Sequence, residues 1–216
     1  MSHMKAMFRV FNYCLNTSTH GKVFKPRRSC MSKDIEDFEF EIYGYSDSDY
    51  AKDPVKRRSV SGYSSFLEGC AVNTKSRMQP ITALSVTEAE LIAATECAQD
   101  LVFIKNVLES IGMKVRLPIY LHIDNSGCID LIYNWSAGGP TRHIDNCIYF
   151  LRELKKEETK SIVMPLDCRP TALNQSDIFT KNNDTNTFEE HTSVYCTDEV
   201  LDKVAWSPLQ QRRMLE

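Results

Sequence analysis

No stretch of this sequence approaches the ~20 consecutive apolar residues that cross a bilayer, and its N-terminus lacks the charged and then apolar order of a signal peptide. Nothing points to a membrane or to secretion. The eight cysteines, Cys14, Cys30, Cys70, Cys97, Cys128, Cys147, Cys168 and Cys196, lie far apart, and none forms the CxxC pair of a zinc knuckle or redox site. They read as reduced, mostly buried thiols of an intracellular protein. Positive charge is not in excess: 26 Lys and Arg face 29 Asp and Glu, a net charge of −3. That excludes a general nucleic-acid coat protein, which carries a large positive surplus to replace condensed counterions. Any nucleic-acid contact must be local, and the local patches are Lys22, Lys25, Arg27 and Arg28, then Lys52, Lys56, Arg57 and Arg58, then Lys75 and Arg77. Internal repeats and low-complexity tracts are absent too.

What is present is an ordinary globular composition, 42% hydrophobic and 25% charged in 216 residues. That is enough for one buried core of roughly 150 residues with flanking sequence. Met4, Met7, Phe8, Val10, Phe11 and Leu15 recur at helical spacing, predicting a short amphipathic helix over residues 3–15. A polar, basic linker follows to residue 37. From Phe38 the period becomes two, with Phe38, Phe40 and Ile42 on one face, predicting a strand that runs into Asp47. Two further strands, over residues 61–67 and 71–75, follow so closely that an antiparallel meander is expected.

Residues 85–111 form the clearest helix, opened by Ser85 with Glu88 three residues on and stopped at Gly112. Alternation at Ile119, Leu121 and Ile123 predicts a fourth strand ending at Asp124. A short helix to about residue 135, a break at Gly138-Gly139-Pro140, a helix marked by Ile144, Ile148, Leu151 and Leu154, a strand over residues 162–164 and a helical segment near residues 174–181 complete the order. The fold class this implies is α/β, a mixed five-stranded sheet of three antiparallel and then two parallel strands, flanked by helices. Three regions are expected: residues 1–37 as N-terminal helix and linker, residues 38–181 as the folded domain, and residues 182–216 as a polar tail.

Three carboxylates stand out by position. Asp47 and Asp124 end strands that become neighbours if the long helix makes the crossover, and Glu90 lies near that helix's start. Carboxylates gathered without cationic partners repel strongly, so the cluster reads as a seat for divalent cations. Helical phase chooses between the two nearby glutamates. Glu90 shares a stripe with Ala94, Cys97, Leu101, Ile104 and Leu108 and faces the sheet. Glu88 lies about 200° away, and is better explained as the reciprocal partner of Ser85 in a capping box. Asp49, two residues past Asp47, reads as a turn residue.

Several strings carry a resemblance: Gly44-Tyr45-Ser46-Asp47-Ser48-Asp49-Tyr50-Ala51-Lys52-Asp53, Arg57-Arg58-Ser59-Val60-Ser61-Gly62-Tyr63, Ala83-Leu84-Ser85-Val86-Thr87-Glu88-Ala89-Glu90-Leu91-Ile92-Ala93, Ile123-Asp124-Asn125-Ser126, Arg142-His143-Ile144-Asp145 and Ser176-Asp177-Ile178-Phe179-Thr180-Lys181. Together, over about residues 3–190, they resemble the ribonuclease H region of copia-like (Pseudoviridae-type) LTR retrotransposon polyproteins. The first helix resembles the end of the preceding reverse transcriptase segment. The sequence departs from that family's pattern at Ser126 and Gly127, where Gln usually follows the Asn, and at Ser176, where Ala is usual.

The resemblance implies a ribonuclease H fold and a metal-dependent endonuclease that cuts the RNA strand of RNA/DNA hybrids during reverse transcription. It implies four carboxylate ligands for two Mg²⁺, with Mn²⁺ as a substitute: Asp47, Glu90, Asp124 and, on the motif alone, Asp177. Arg57, Arg58, Lys75, Arg77 and Asn125 are the expected nucleic-acid contacts. The polymerase part of the same polyprotein is the expected partner, and a cytoplasmic virus-like particle or the nucleus the expected location. The alternative is a domesticated or decayed fragment that keeps the fold as a non-catalytic binding or scaffolding module.

Overall fold

The computed structural model describes residues 2–22, 24, 26, 38–134, 142–155, 162–163, 174–181, 183 and 185–197. In chain order its elements are α1 (Ser2–Asn16), β1 (Gly21–Lys22), β2 (Glu39–Phe40), β3 (Ile42–Asp49), β4 (Val60–Leu67), β5 (Cys70–Met78), α2 (Val86–Ser110), β6 (Lys114–Val115), β7 (Ile119–Ile123), α3 (Ser126–Asn134), α4 (Arg142–Lys155), β8 (Ile162–Val163), a 3₁₀ turn (Asp177–Phe179), α5 (Thr185–Thr192) and β9 (Cys196–Thr197). The predicted break at Gly138-Gly139-Pro140, the linker residues 27–37, Cys30, Cys168, the side chain of His143 and the tail beyond residue 197 lie outside the described residues.

The main sheet runs β5-β4-β3-β7-β8. β3, β4 and β5 pair antiparallel, β7 lies parallel to β3, and β8 lies parallel to β7. This is the expected arrangement of three antiparallel and two parallel strands. The first predicted strand is broken at Glu41, whose backbone N–H donates to Glu68 Oε1 at 2.7 Å instead of continuing the ladder. The stub before the break, β2, pairs with β6. β1 pairs antiparallel with β9, tying the segment after α1 to the end of the chain's described part.

The core lies between the sheet and α2. Ile42, Leu91, Ala94, Cys97, Ala98, Leu101, Leu121 and Ile123 all belong to it, with α3 and α4 adding Cys128, Ile129, Ile132, Ile148 and Leu151. The predicted stripe is therefore the buried one, although Ile104 is only partly covered. Gly44 fixes how closely α2 seats on β3: a Cβ there would stand 2.8 Å from Cys97 Sγ and 3.1 Å from Leu101. A second, smaller cluster on the opposite face of the sheet gathers Tyr43, Tyr45, Phe66, Ala71 and Tyr195.

The segment near residues 174–181, expected as a helix, is a 3₁₀ turn instead. Asn174 explains the change, because its Oδ1 accepts from Ser176 N–H at 3.1 Å and from Ser176 Oγ at 2.6 Å, a local closure that competes with helix. Of the described cysteines all are free thiols; Cys70, Cys97 and Cys128 are buried and Cys14 is exposed.

Candidate active site

Parallel pairing of β3 with β7 puts Ser46 opposite Ile123. The next residue on each strand is Asp47 and Asp124, so both carboxylates leave the same end of the sheet. α2 brings Glu90 to that end. One ligand oxygen from each of Asp47, Glu90 and Asp124 lies within 4.8 Å of the others. Asp47 and Glu90 are buried, at 1% and 3% exposure, while Asp124 is half-buried.

Glu90 and Asp47 are held by hydroxyl groups. Ser48 donates to Glu90 Oε1 from its N–H at 3.1 Å and from Oγ at 2.8 Å. Glu90 Oε2 is buried and has no hydrogen-bond partner among the described residues. Thr180 Oγ1 donates to Asp47 Oδ2. Asn174 Nδ2 donates to the Ser46 carbonyl at 2.9 Å, pinning the 3₁₀ turn across the end of β3.

That turn brings Asp177, also buried, near Asp47 but outside the group of three. Lys181 joins them, its Nζ donating to Asp47 Oδ1 at 3.0 Å and to Asp177 Oδ1 at 3.1 Å. The cluster is therefore not without a cationic partner, as the sequence suggested. Lys181 follows Asp177 by four residues, and Thr180 by three; that spacing was the signal for both. Nothing in the sequence singled out Ser48 or Asn174. Gly62 makes room for the turn, since a Cβ there would meet Thr180 Cγ2 at 2.6 Å and Phe179 Cβ at 2.9 Å.

The electrostatics are those of crowded acids. Burial, then the charges of Asp47 and Asp124, push Glu90 up to about 8, against the lowering effect of the two Ser48 hydrogen bonds. Burial and Asp47 raise Asp124, with Lys181 opposing. Burial and Asp47 push Asp177 up to about 6. Burial would lower the Lys181 ammonium, but Asp47 and Asp177 outweigh it and hold the group above its usual range.

This donor set fits a hard divalent cation. It is all oxygen, its carboxylates raise one another's proton affinity by their mutual repulsion, and it leaves one buried carboxylate oxygen with no protein donor among the described residues.

The other predicted residues are spread around this end. Arg57 and Arg58 sit on the loop between β3 and β4, at the strand ends that carry Asp47, where Arg57 N–H donates to the Asp53 carbonyl and Asp53 N–H to that of Arg58. Lys75 and Arg77 lie on edge strand β5, ion-paired to Glu96 at 3.3 and 2.9 Å. Asn125 Oδ1 accepts from Cys128 N–H at 2.8 Å, which caps α3. Asp49 pairs with Lys52 at the turn. Glu88 behaves as a cap residue, with Ser85 Oγ accepting from its N–H at 3.1 Å, but its carboxylate takes the N–H of Leu84, at 2.7 Å, as its own partner.

No family model matches the chain. Over 148 residues it is 34% identical to the retrovirus-related Pol polyprotein of transposon TNT 1-94 from Nicotiana tabacum, covering 68% of this chain and 11% of that protein. It is homologous to a segment of the retrovirus-related Pol polyproteins of copia-like transposons. A second relative of this kind, the polyprotein of transposon RE1 from Arabidopsis thaliana, is 26% identical over 150 residues, covering 69% of this chain and 10% of that protein. The chain thus spans about a tenth of the polyproteins it matches. It is also 38% identical over 103 residues to the secreted RxLR effector protein 161 of Plasmopara viticola, covering 48% of this chain and 66% of that protein. Among solved structures, LC11-RNase H1 in complex with RNA/DNA hybrid aligns at a TM-score of 0.45 and 14% identity, over 65% of this chain and 94% of that one.

Proposed function

We propose that this chain is a metal-dependent endonuclease that hydrolyses the RNA strand of RNA/DNA hybrids, the ribonuclease H step of retrotransposon reverse transcription. The observation that carries the reading is the convergence of Asp47, Glu90 and Asp124 within 4.8 Å at the end of a ribonuclease H-type sheet. Homology to retrovirus-related Pol polyproteins supports the same reading, since copying RNA into DNA creates the hybrid.

Asp47, Glu90, Asp124 and Asp177 would hold two Mg²⁺ ions, with Mn²⁺ as a substitute. When bound, such ions supply a water of lowered pKa and offset the charge that builds on the phosphate. The protein's own part is positional. Ser48 fixes one oxygen of Glu90, and Thr180 one oxygen of Asp47. Lys181 keeps Asp47 and Asp177 together while no divalent cation is there. Hybrid would be chosen by shape and 2′-hydroxyls, which its wide minor groove displays, with Arg57 and Arg58 contacting the backbone beside the site. Lys75 and Arg77 would join them only by sharing Glu96.

The polymerase part of the same polyprotein would be its partner, and residues 38–181 the catalytic unit. Similarity to two thirds of a secreted effector favours a second reading, a module reused outside a polyprotein without cleavage. The four retained carboxylates weigh for the enzyme.

Incubating end-labelled RNA/DNA hybrid, double-stranded DNA and single-stranded RNA with the protein in Mg²⁺, Mn²⁺ or EDTA tests the proposal. RNA cut only in the hybrid, and only with metal, is expected. Hybrid bound but left whole in both metals would favour the non-catalytic module.

A further inference from the structure

A groove of ≈ 680 Å³ opens beside the acidic cluster, on the face of the sheet away from α2. Its walls come from α1, β1, β5, the 3₁₀ turn and α5. Three of its lining residues, Arg9, Lys22 and Lys181, are cations, and none of the described lining residues is acidic. In a chain where acids outnumber bases, 29 to 26, that segregation is a selection of charge. Tyr13, Phe179 and Phe188 add aromatic rings to the same lining. Tyr13 and Phe188 meet edge to face, with centroids 5.8 Å apart, so the two walls are joined by aromatic contact. Lys181 belongs to both sites: it lines the groove and donates to Asp47 and Asp177.

We propose that this groove binds unpaired nucleic acid, holding phosphates on Arg9 and Lys22 and stacking bases on Tyr13, Phe179 and Phe188. Cations combined with aromatic rings in one groove are what grips a single strand without reading its sequence, because every base has a face to stack. Lys181 is already paired with Asp47 and Asp177 and Lys22 lies over the Phe24 ring, but an apolar protein helix would offer neither Arg9 nor Lys22 a counter-charge, which makes it the poorer occupant. Because Lys181 links groove and acids, a strand engaged at the acidic cluster would pass its unpaired continuation into the groove. That continuity rests on the nuclease reading; the binding does not.

The test uses the full chain and a fluorescent oligothymidylate, a probe that contains no RNA and so is no substrate, with anisotropy read in EDTA from 50 to 200 mM salt. Wild type is expected to bind with a salt-dependent affinity. Arg9→Gln/Lys22→Gln removes two exposed charges, so affinity at 50 mM salt should fall at least tenfold. The slope of log affinity on log salt should flatten by about 1.4, at about 0.7 per lost phosphate contact. Phe188→Leu should weaken binding at least fivefold with the slope unchanged, as loss of a stacking ring does. Either variant binding like wild type, or wild type failing to bind while it still binds hybrid, overturns the proposal; the second result would give the groove to a protein partner. Cleavage of blunt hybrid by the double variant separates the two readings. If it persists while oligothymidylate binding is lost, both stand. If no protein cleaves but wild type binds the single strand, only the nuclease reading falls.

Discussion

Ser48 gives both of its hydrogen-bond donors to one oxygen of Glu90, at 3.1 Å from N–H and 2.8 Å from Oγ, and leaves Oε2 buried without a partner among the described residues. The carboxyl group is therefore oriented, yet its ionised form has no cation beside it among the described residues. A group in this state costs stability when ionised and waits for a cation.

The pH dependence of the metal-free protein follows. Below pH ~4.5 Glu90 is protonated folded and unfolded, so it contributes nothing. Between ~4.5 and about 8 the unfolded chain releases a proton that the folded chain keeps, and folded stability falls as pH rises. Asp124 and Asp177, also raised, act in the same direction. Lys181, held above its usual range, keeps its contribution throughout. Melting temperature in EDTA should drop from pH 5 to pH 8, a loss on the order of a few kcal/mol. Mg²⁺ or Mn²⁺ should raise it at pH 8 far more than at pH 5. An equal gain at both would mean that the carboxylates are not what the cation relieves.

Glu90→Gln should act on the same balance. The amide oxygen still accepts from Ser48, and the charge is gone. The metal-free variant should melt several degrees higher than wild type at pH 8 and at nearly the same temperature at pH 5. Destabilisation at pH 8 would show that Glu90 is a structural hydrogen-bond partner instead.

Lys181→Met should have a divided effect. With the ammonium gone, Asp47 and Asp177 lose their 3.0 and 3.1 Å partner, so the metal-free protein should melt lower. Mn²⁺ should bind about tenfold tighter by calorimetry, a ~1.4 kcal/mol gain that is modest beside the ~4 kcal/mol between unit charges 4 Å apart near a protein surface. Weaker Mn²⁺ binding would mean that Lys181 shapes the site rather than competing for it.

Gly62→Ala tests the seat of the 3₁₀ turn. Its Cβ would fall 2.6 Å from Thr180 Cγ2 and 2.9 Å from Phe179 Cβ, so the turn that carries Asp177 must shift. Overpacking of this kind costs ~1–3 kcal/mol. Mn²⁺ affinity should fall with it. Unchanged melting and affinity would place no weight on this contact.

How much of this was legible depended on whether a signal was periodic. The stripe Glu90, Ala94, Cys97, Leu101 named the buried face of α2, and alternation at Ile119, Leu121 and Ile123 named β7, because burial repeats with the element. Asp47 and Asp124 could be placed because strand ends are where alternation stops. Asp177 could not, since a three-residue 3₁₀ turn has no period; only the motif found it. Its partner Lys181 lies four residues on in the same string, a spacing that points to Asp177 but not to Asp47. Glu88 was read as a cap, yet its carboxylate bonds Leu84 rather than Ser85, a one-residue offset that pattern cannot resolve. It is also buried, because its side of α2 lies near Ile144 and Cys147 of α4.

The two glutamates of Thr87-Glu88-Ala89-Glu90 give the most direct measurement, the single-turnover rate of RNA-strand cleavage in a hybrid with Mg²⁺. Glu90→Gln should lose at least the ~10²-fold typical of a key transition-state contact, while remaining folded. Glu88→Ala should lose ~0.5–2 kcal/mol of stability through the weakened cap and, at low temperature, cleave near the wild-type rate. An active Glu90→Gln beside a dead Glu88→Ala would contradict the assignment of Asp47, Glu90 and Asp124 as the cation seat.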